Sequence, residues 1–155
     1  MNNSAMIDAI AALPDQIEAA VKDLNDAQLD TPYRQGGWTV RQVVHHLADS
    51  HMNAFIRMKL ILTEMNPTLK PYNQDEWAVQ SDVRGVPVAS SLAILRGLHA
   101  RWTMLLRAVS ESGWGRKAIH PERGEITLQG MLQTYSGHGA KHVEHVLGLR
   151  RAKNW

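Results

Sequence analysis

The chain contains no cysteine. That absence excludes disulfides, thiolate metal ligands and a cysteine nucleophile, and it is compatible with a cytoplasmic location. A block of one charge is also missing. Seventeen Lys and Arg against 15 Asp and Glu leave a formal net charge of only +2, so nucleic acid is not an expected partner. No apolar run reaches the ~18 residues that suggest a membrane-spanning helix. The first residues, MNNSAMIDAIAALPDQ, lack the basic and long apolar regions of a signal peptide. Neither a membrane partner nor export is therefore expected. Internal repeats and low-complexity segments are absent, and strand-like alternation is nearly so.

What remains is helical periodicity over a chain of 155 residues, a length suited to one domain, 1–155. A first helix is expected from Pro14 or Asp15 to Leu24, with Ile17, Ala20, Val21 and Leu24 at helical spacing. LDTPYRQGG interrupts it. A second helix runs from about Thr39, a residue suited to cap it, to Glu64, where Asn66-Pro67 ends it. NPTLKPYNQDEW reads as a loop with a short helical turn near Gln74 to Val79. A third helix spans about Ala89 to Ser110. ESGWGRKAIHPERGE is a glycine-containing connection with room for a short extended piece. A fourth helix starts near Thr127 and runs to about Arg150. Four amphipathic helices in one domain predict an all-α four-helix bundle.

Six of the eight histidines fall in two of these helices. The second carries His45, His46 and His51; the fourth carries His138, His142 and His145. The apolar seam of the fourth helix reads Leu128, Met131, Tyr135, His138, His142, His145, Leu149. Histidines therefore occupy the middle of a stripe that should face the core. A buried imidazole needs hydrogen-bond partners or a metal, and one divalent ion satisfies several imidazoles at once. Histidines at i and i+4 form a workable metal-binding pair on a helix. HGAKH lacks the glutamate of H-E-x-x-H, so zinc-protease chemistry is not indicated. Gly137 and Gly139 flank His138, at a helix cost of about 1 kcal/mol each relative to alanine. That cost fits a place where another helix or a ligand approaches closely. For a third ligand, periodicity alone favours His51, which lies on the seam of Val40, Val44, Leu47, Met58 and Leu62.

GGWTVRQVVHHLADSH, followed downstream by YSGHGAKHVEHV, resembles the DinB/YfiT superfamily, and within it the YfiT-type metal-dependent hydrolases. PYNQDEW, LHARW and HPERGEITL stand between or beside these in the expected order, so the resemblance covers nearly the whole chain. It implies an up-and-down type of four-helix bundle, a homodimer, and one divalent metal per chain, zinc in the first place and nickel as the alternative. It also implies three histidine ligands. One stands eight residues after the tryptophan that opens the second helix; Trp38 makes this His46. The others are the H-x-x-x-H pair, His138 and His142. The family register thus replaces His51 by His46 and makes His145 a neighbour of the pocket. Where relatives often have an aromatic before the first of this pair, Gly137 stands here.

Three histidines leave a coordination position open, as in catalytic zinc sites. The expectation is a hydrolase that activates water on the metal and acts on a small-molecule substrate, with no general base assigned. The alternative is a thiol S-transferase, since some relatives resemble bacillithiol or mycothiol S-transferases that take a low-molecular-weight thiol. A third reading is a non-catalytic metal-binding bundle. Ser50, Glu122 and Asp75 are candidates to line the pocket, with a solvated loop charge or a helix cap as the more ordinary role for the two acidic residues. Trp77, Trp102 and Tyr135 are expected in the core, and His99 is expected as a hydrogen-bonded core histidine.

Overall fold

The structure is a computed structural model that describes residues 2–155. Its order is α1 (Asn3–Val21), α2 (Asp26–Leu29), α3 (Val40–Thr63), α4 (Gln74–Trp77), α5 (Ser81–Gly85), α6 (Val88–Arg107), a 3-10 turn (Glu111–Gly115), the strands β1 (Lys117–His120) and β2 (Gly124–Thr127), and α7 (Leu128–Lys153). The long helices α1, α3, α6 and α7 form the bundle. None of the described helices is long and apolar enough to cross a membrane.

Local chemistry sets the helix starts. Thr39 accepts a bond from the backbone of Gln42, and Gln42 returns one to the backbone of Thr39. This reciprocal cap satisfies two otherwise orphaned donors and fixes the register of α3. Thr127 caps α7 by accepting from Gly130. Asn2 caps α1 by accepting from Ala5. The expected first helix was too short by its whole N-terminal half. Met6, Ile7, Ile10 and Leu13 continue the buried stripe upstream of Pro14, which sits inside α1. The other three long helices fall within three residues of their expected ends.

The all-α bundle expected from the sequence is present; the course of the chain through it differs from a simple up-and-down path. Asp8 pairs with Arg107 and Asp15 with Arg96, so α1 and α6 are antiparallel. Gln129 bonds Asn3 and Arg150 bonds the carbonyl of Ala20, so α1 and α7 are parallel. His45 meets Ser91 and Met58 meets Trp102, so α3 and α6 are parallel as well. The helices therefore run up, down, down, up. The segment from Glu64 to Pro87 makes the return that two parallel neighbours require. On its way it lays Thr68 beside Ile119 as a parallel bridge on the β1–β2 hairpin.

The core has two apolar parts. One holds Met6, Ile10, Met58, Trp102, Leu106 and Leu132. The other holds Leu13, Ile17, Val44, Leu47, Leu95 and Val146. Along α3, α6 and α7 the residues between these parts include His51, His99, His138 and His142. A layer of imidazoles thus crosses the middle of the bundle.

Candidate metal centre

His46 lies two turns into α3, and the Thr39 cap sets its direction. Trp38, just before that cap, packs its ring 4.6 Å from the His46 ring and 6.5 Å from that of His142. His138 and His142 occupy one face of α7, with ring centroids 4.7 Å apart. Across the α3–α7 contact, His46 Nε2 stands 3.4 Å from His138 Nε2. One ring nitrogen from each of His46, His138 and His142 lies within 4.8 Å of the other two. No other such group of histidines or carboxylates converges among the described residues.

These residues fit a divalent ion. Two nitrogens at about 2.05 Å from a tetrahedral zinc lie roughly 3.3 Å apart, close to the His46–His138 separation. The donor set is imidazole only, which suits zinc and nickel. Burial holds all three rings neutral, the state a ligand needs. It pushes His46 down to about 3, helped by the charge of His138. It pushes His138 down to about 4, helped by Lys141. It pushes His142 down to about 3, with His138 and His46 adding to the effect. His142 Nδ1 is buried without a protein partner. Buried polar atoms are seldom left so, and a missing ion is one of the standard explanations.

The other histidines separate cleanly from this group. His45 bonds Ser91 Oγ at 2.7 Å and the carbonyl of Val86 at 3.1 Å. His51, favoured by periodicity, is fully buried, with Nε2 3.0 Å from His138 Nδ1 and Nδ1 2.8 Å from His99 Nε2. It supports a site residue and does not face the other two. His99 is the hydrogen-bonded core histidine expected of it. His145 stacks on Tyr33, centroids 4.2 Å apart and rings 3° from parallel. Its Nδ1 is buried and unpartnered like that of His142, but its ring is turned to Tyr33.

A cleft of about 720 Å³ opens onto His138. Its walls include Ser50, Tyr72, His120, Glu122, Tyr135 and His138. Ser50 and Glu122 are where the sequence placed them; Asp75 lies outside the lining, exposed near the start of α4. His145 likewise lies outside it. Trp102 is wholly buried as expected, whereas Trp77 is 40% exposed. His120 was not anticipated. It is buried at the end of β1, and its Nδ1 accepts from the backbone of Glu122 at 3.2 Å, leaving Nε2 as its other polar atom. Only the hairpin brings it there, and its place in a connection gave no periodic signal. The Gly139 backbone is buried against Leu13 of α1, the close approach its position implied; Gly137 faces open space.

The comparisons agree with this picture. A family profile described as the DinB superfamily matches residues 9–146. A Bacillus cereus protein named "Putative metal-dependent hydrolase" is 49% identical over 149 residues, covering 96% of this chain and 86% of that protein. A Bacillus mycoides protein of the same description is 48% identical with the same coverage. The solved structure of YfiT from Bacillus subtilis is described as a probable metal-dependent hydrolase with an unusual four-helix bundle topology. It matches with a TM-score of 0.96 and 44% identity, over 99% of this chain and 88% of that one. With a matched family, a shared fold and a histidine cluster between α3 and α7, this chain belongs to the DinB superfamily.

Proposed function

We propose that this chain is a metal-dependent hydrolase whose single divalent ion, zinc in the first place, is held by His46, His138 and His142. The observation that carries the reading is the convergence of three neutral imidazoles from two helices, one of which, His138, also lines a cleft. A divalent metal held there supplies Lewis acidity and lowers the pKa of a water to about 7.

The chain's own contribution is placement. The α3 cap and Trp38 hold His46, while the i, i+4 spacing on α7 holds His138 and His142. The cleft has the size of a small-molecule site, which is typically 300–1,000 Å³. Tyr135 and Tyr72 give it apolar surface, and Ser50 and His120 give it hydrogen-bonding groups. A small-molecule substrate enters from this side and meets the cluster at His138.

The test is turnover by the zinc-loaded protein on a panel of esters and amides, with and without a low-molecular-weight thiol and an electrophile. Thiol-independent hydrolysis that disappears in His142→Ala is the expected result. Conjugation that requires the thiol would reassign the same site to S-transfer. Metal binding with no turnover of either kind would contradict an enzymatic role.

A further inference from the structure

We infer that His51 and His99 form a relay that fixes the tautomer and orientation of His138, with the carbonyl of Ile10 as its anchor. The relay takes one residue from each long helix: Ile10 from α1, His99 from α6, His51 from α3 and His138 from α7.

The assignment follows from counting protons. A carbonyl only accepts, so His99 Nδ1, 2.6 Å from the oxygen of Ile10, carries a hydrogen. A neutral imidazole has one N–H, so His99 Nε2 is a bare lone pair. His51 Nδ1, 2.8 Å away, must then donate to it. That leaves His51 Nε2 bare, and His138 Nδ1, 3.0 Å away, must donate in turn. His138 Nε2 therefore carries the lone pair, and it is the atom that faces His46. Each step depends on the one before, and the direction is set at the far end of the chain.

Two features make the relay specific. Proline 14 has no N–H, so the helical bond that residue 14 would donate to the carbonyl of residue 10 cannot form. Pro14 thus leaves the Ile10 oxygen available to His99. The surroundings also exclude a charged ring. His51 and His99 are almost wholly buried, with Trp102 and Tyr135 edge-on to His51 at 5.5 Å. Among the described residues no carboxylate is hydrogen-bonded to any of the three rings. An extra proton would have no counter-ion in an apolar site.

Metal-bound histidines ordinarily donate their second N–H to a carboxylate, carbonyl or water, and loss of that partner typically costs about 10–100-fold in metal affinity. Here another histidine fills that place. His51 and His99 are positioning residues that act through His138. The inference draws on the metal-site reading for its affinity readout alone.

Nitrogen-15 NMR of the metal-free protein, with histidines assigned, reads the tautomers directly. His99, His51 and His138 should all carry the proton on Nδ1. A proton on His138 Nε2 in the unaltered protein would overturn the relay, whether or not the protein binds metal. The second measurement is zinc affinity by chelator competition. His51→Leu should bind zinc about 10–100-fold more weakly and should release His138 from the single Nδ1–H form. Weaker binding with the His138 tautomer unchanged would also overturn it. Should the three tautomers be as assigned while zinc does not bind, the relay stands and the metal-site reading fails.

Discussion

Gly139 on α7 lies so close to Leu13 on α1 that a Cβ there would stand 2.4 Å from Leu13 Cδ2 and 2.9 Å from Cγ. Leu13 is buried and has little room to retreat. This contact seats the α7 stretch that carries His138 and His142 against α1. Alanine at 139 would gain up to about 1 kcal/mol of helix propensity. Overpacking a filled site costs about 1–3 kcal/mol, and with three Leu13 atoms inside 3.0 Å the steric effect wins. Gly139→Ala should lower the unfolding free energy by about 1–2 kcal/mol in denaturant titration and weaken zinc binding as well. Gly137→Ala meets nothing within 4 Å and should stabilise by up to about 1 kcal/mol. Equal effects of the two changes would contradict this packing.

The contrast between these glycines shows what the sequence could and could not convey. Flanking His138, both looked like places of close approach, and only one is. Periodicity found α3, α6 and α7 because their stripes are long and their ends are marked by Thr39, Asn66-Pro67 and Thr127. It began α1 only at Pro14 or Asp15, because proline suits the first turn of a helix and is costly inside one. The buried stripe from Met6 to Leu13 outweighs the one lost bond, and His99 uses the freed carbonyl. The H-x-x-x-H pair was legible because i and i+4 share a face. The choice between His46 and His51 was not, since both are buried on the same helix and only their directions differ. The family register chose His46, and the geometry shows why His51 looked suitable. Which helices run parallel depends on long-range contacts such as Met58 with Trp102, which leave no local pattern.

Acid should destabilise the metal-free protein. His46, His138 and His142 sit at about 3, 4 and 3 when folded, against an ordinary value of 6.5. As pH falls through 6.5 the unfolded chain takes up protons that the native state refuses, so stability is full well above that value and falls as pH drops towards 4. Each histidine contributes a slope of up to about 1.4 kcal/mol per pH unit. Asp49 acts in the opposite sense. Burial first, and then Asp82, raise it from 3.8 to about 6, so acid favours its native form in that window. Three histidines outweigh one carboxyl. Urea unfolding at pH 7.5, 6.5, 5.5 and 5.0 should show a loss of about 1 kcal/mol over the first step and a steeper loss after it. Bound zinc stabilises the native state by mass action and should move the acid midpoint lower.

His145 separates neighbourhood from ligation. Its ring centre is 5.4 Å from that of His142, but it stacks face to face on Tyr33. His145→Ala should retain about one zinc per chain with affinity lowered less than tenfold, whereas His142→Ala should lose tight binding. Chelator competition on both variants checks this, with circular dichroism to confirm folding. Comparable losses in the two would bring His145 into the ligand set.

The reciprocal cap at Thr39 is coupled to the site through the register of α3. Thr39→Ala removes one side of it and should cost about 0.5–2 kcal/mol, read as a lower thermal midpoint. The rest of α3 remains packed between α6 and α7, so zinc stoichiometry should be unchanged. A large loss of metal in this variant at a temperature where it is folded would show that the cap does more than start the helix.

The central claim is that His46, His138 and His142 together hold one divalent ion. Its most direct measurement is the metal content of the folded protein after zinc loading and desalting, compared with His46→Ala. That change removes the one proposed ligand outside α7. The unaltered chain should retain about one zinc and His46→Ala well under half of that, with helical content preserved. Full occupancy in folded His46→Ala would contradict the site.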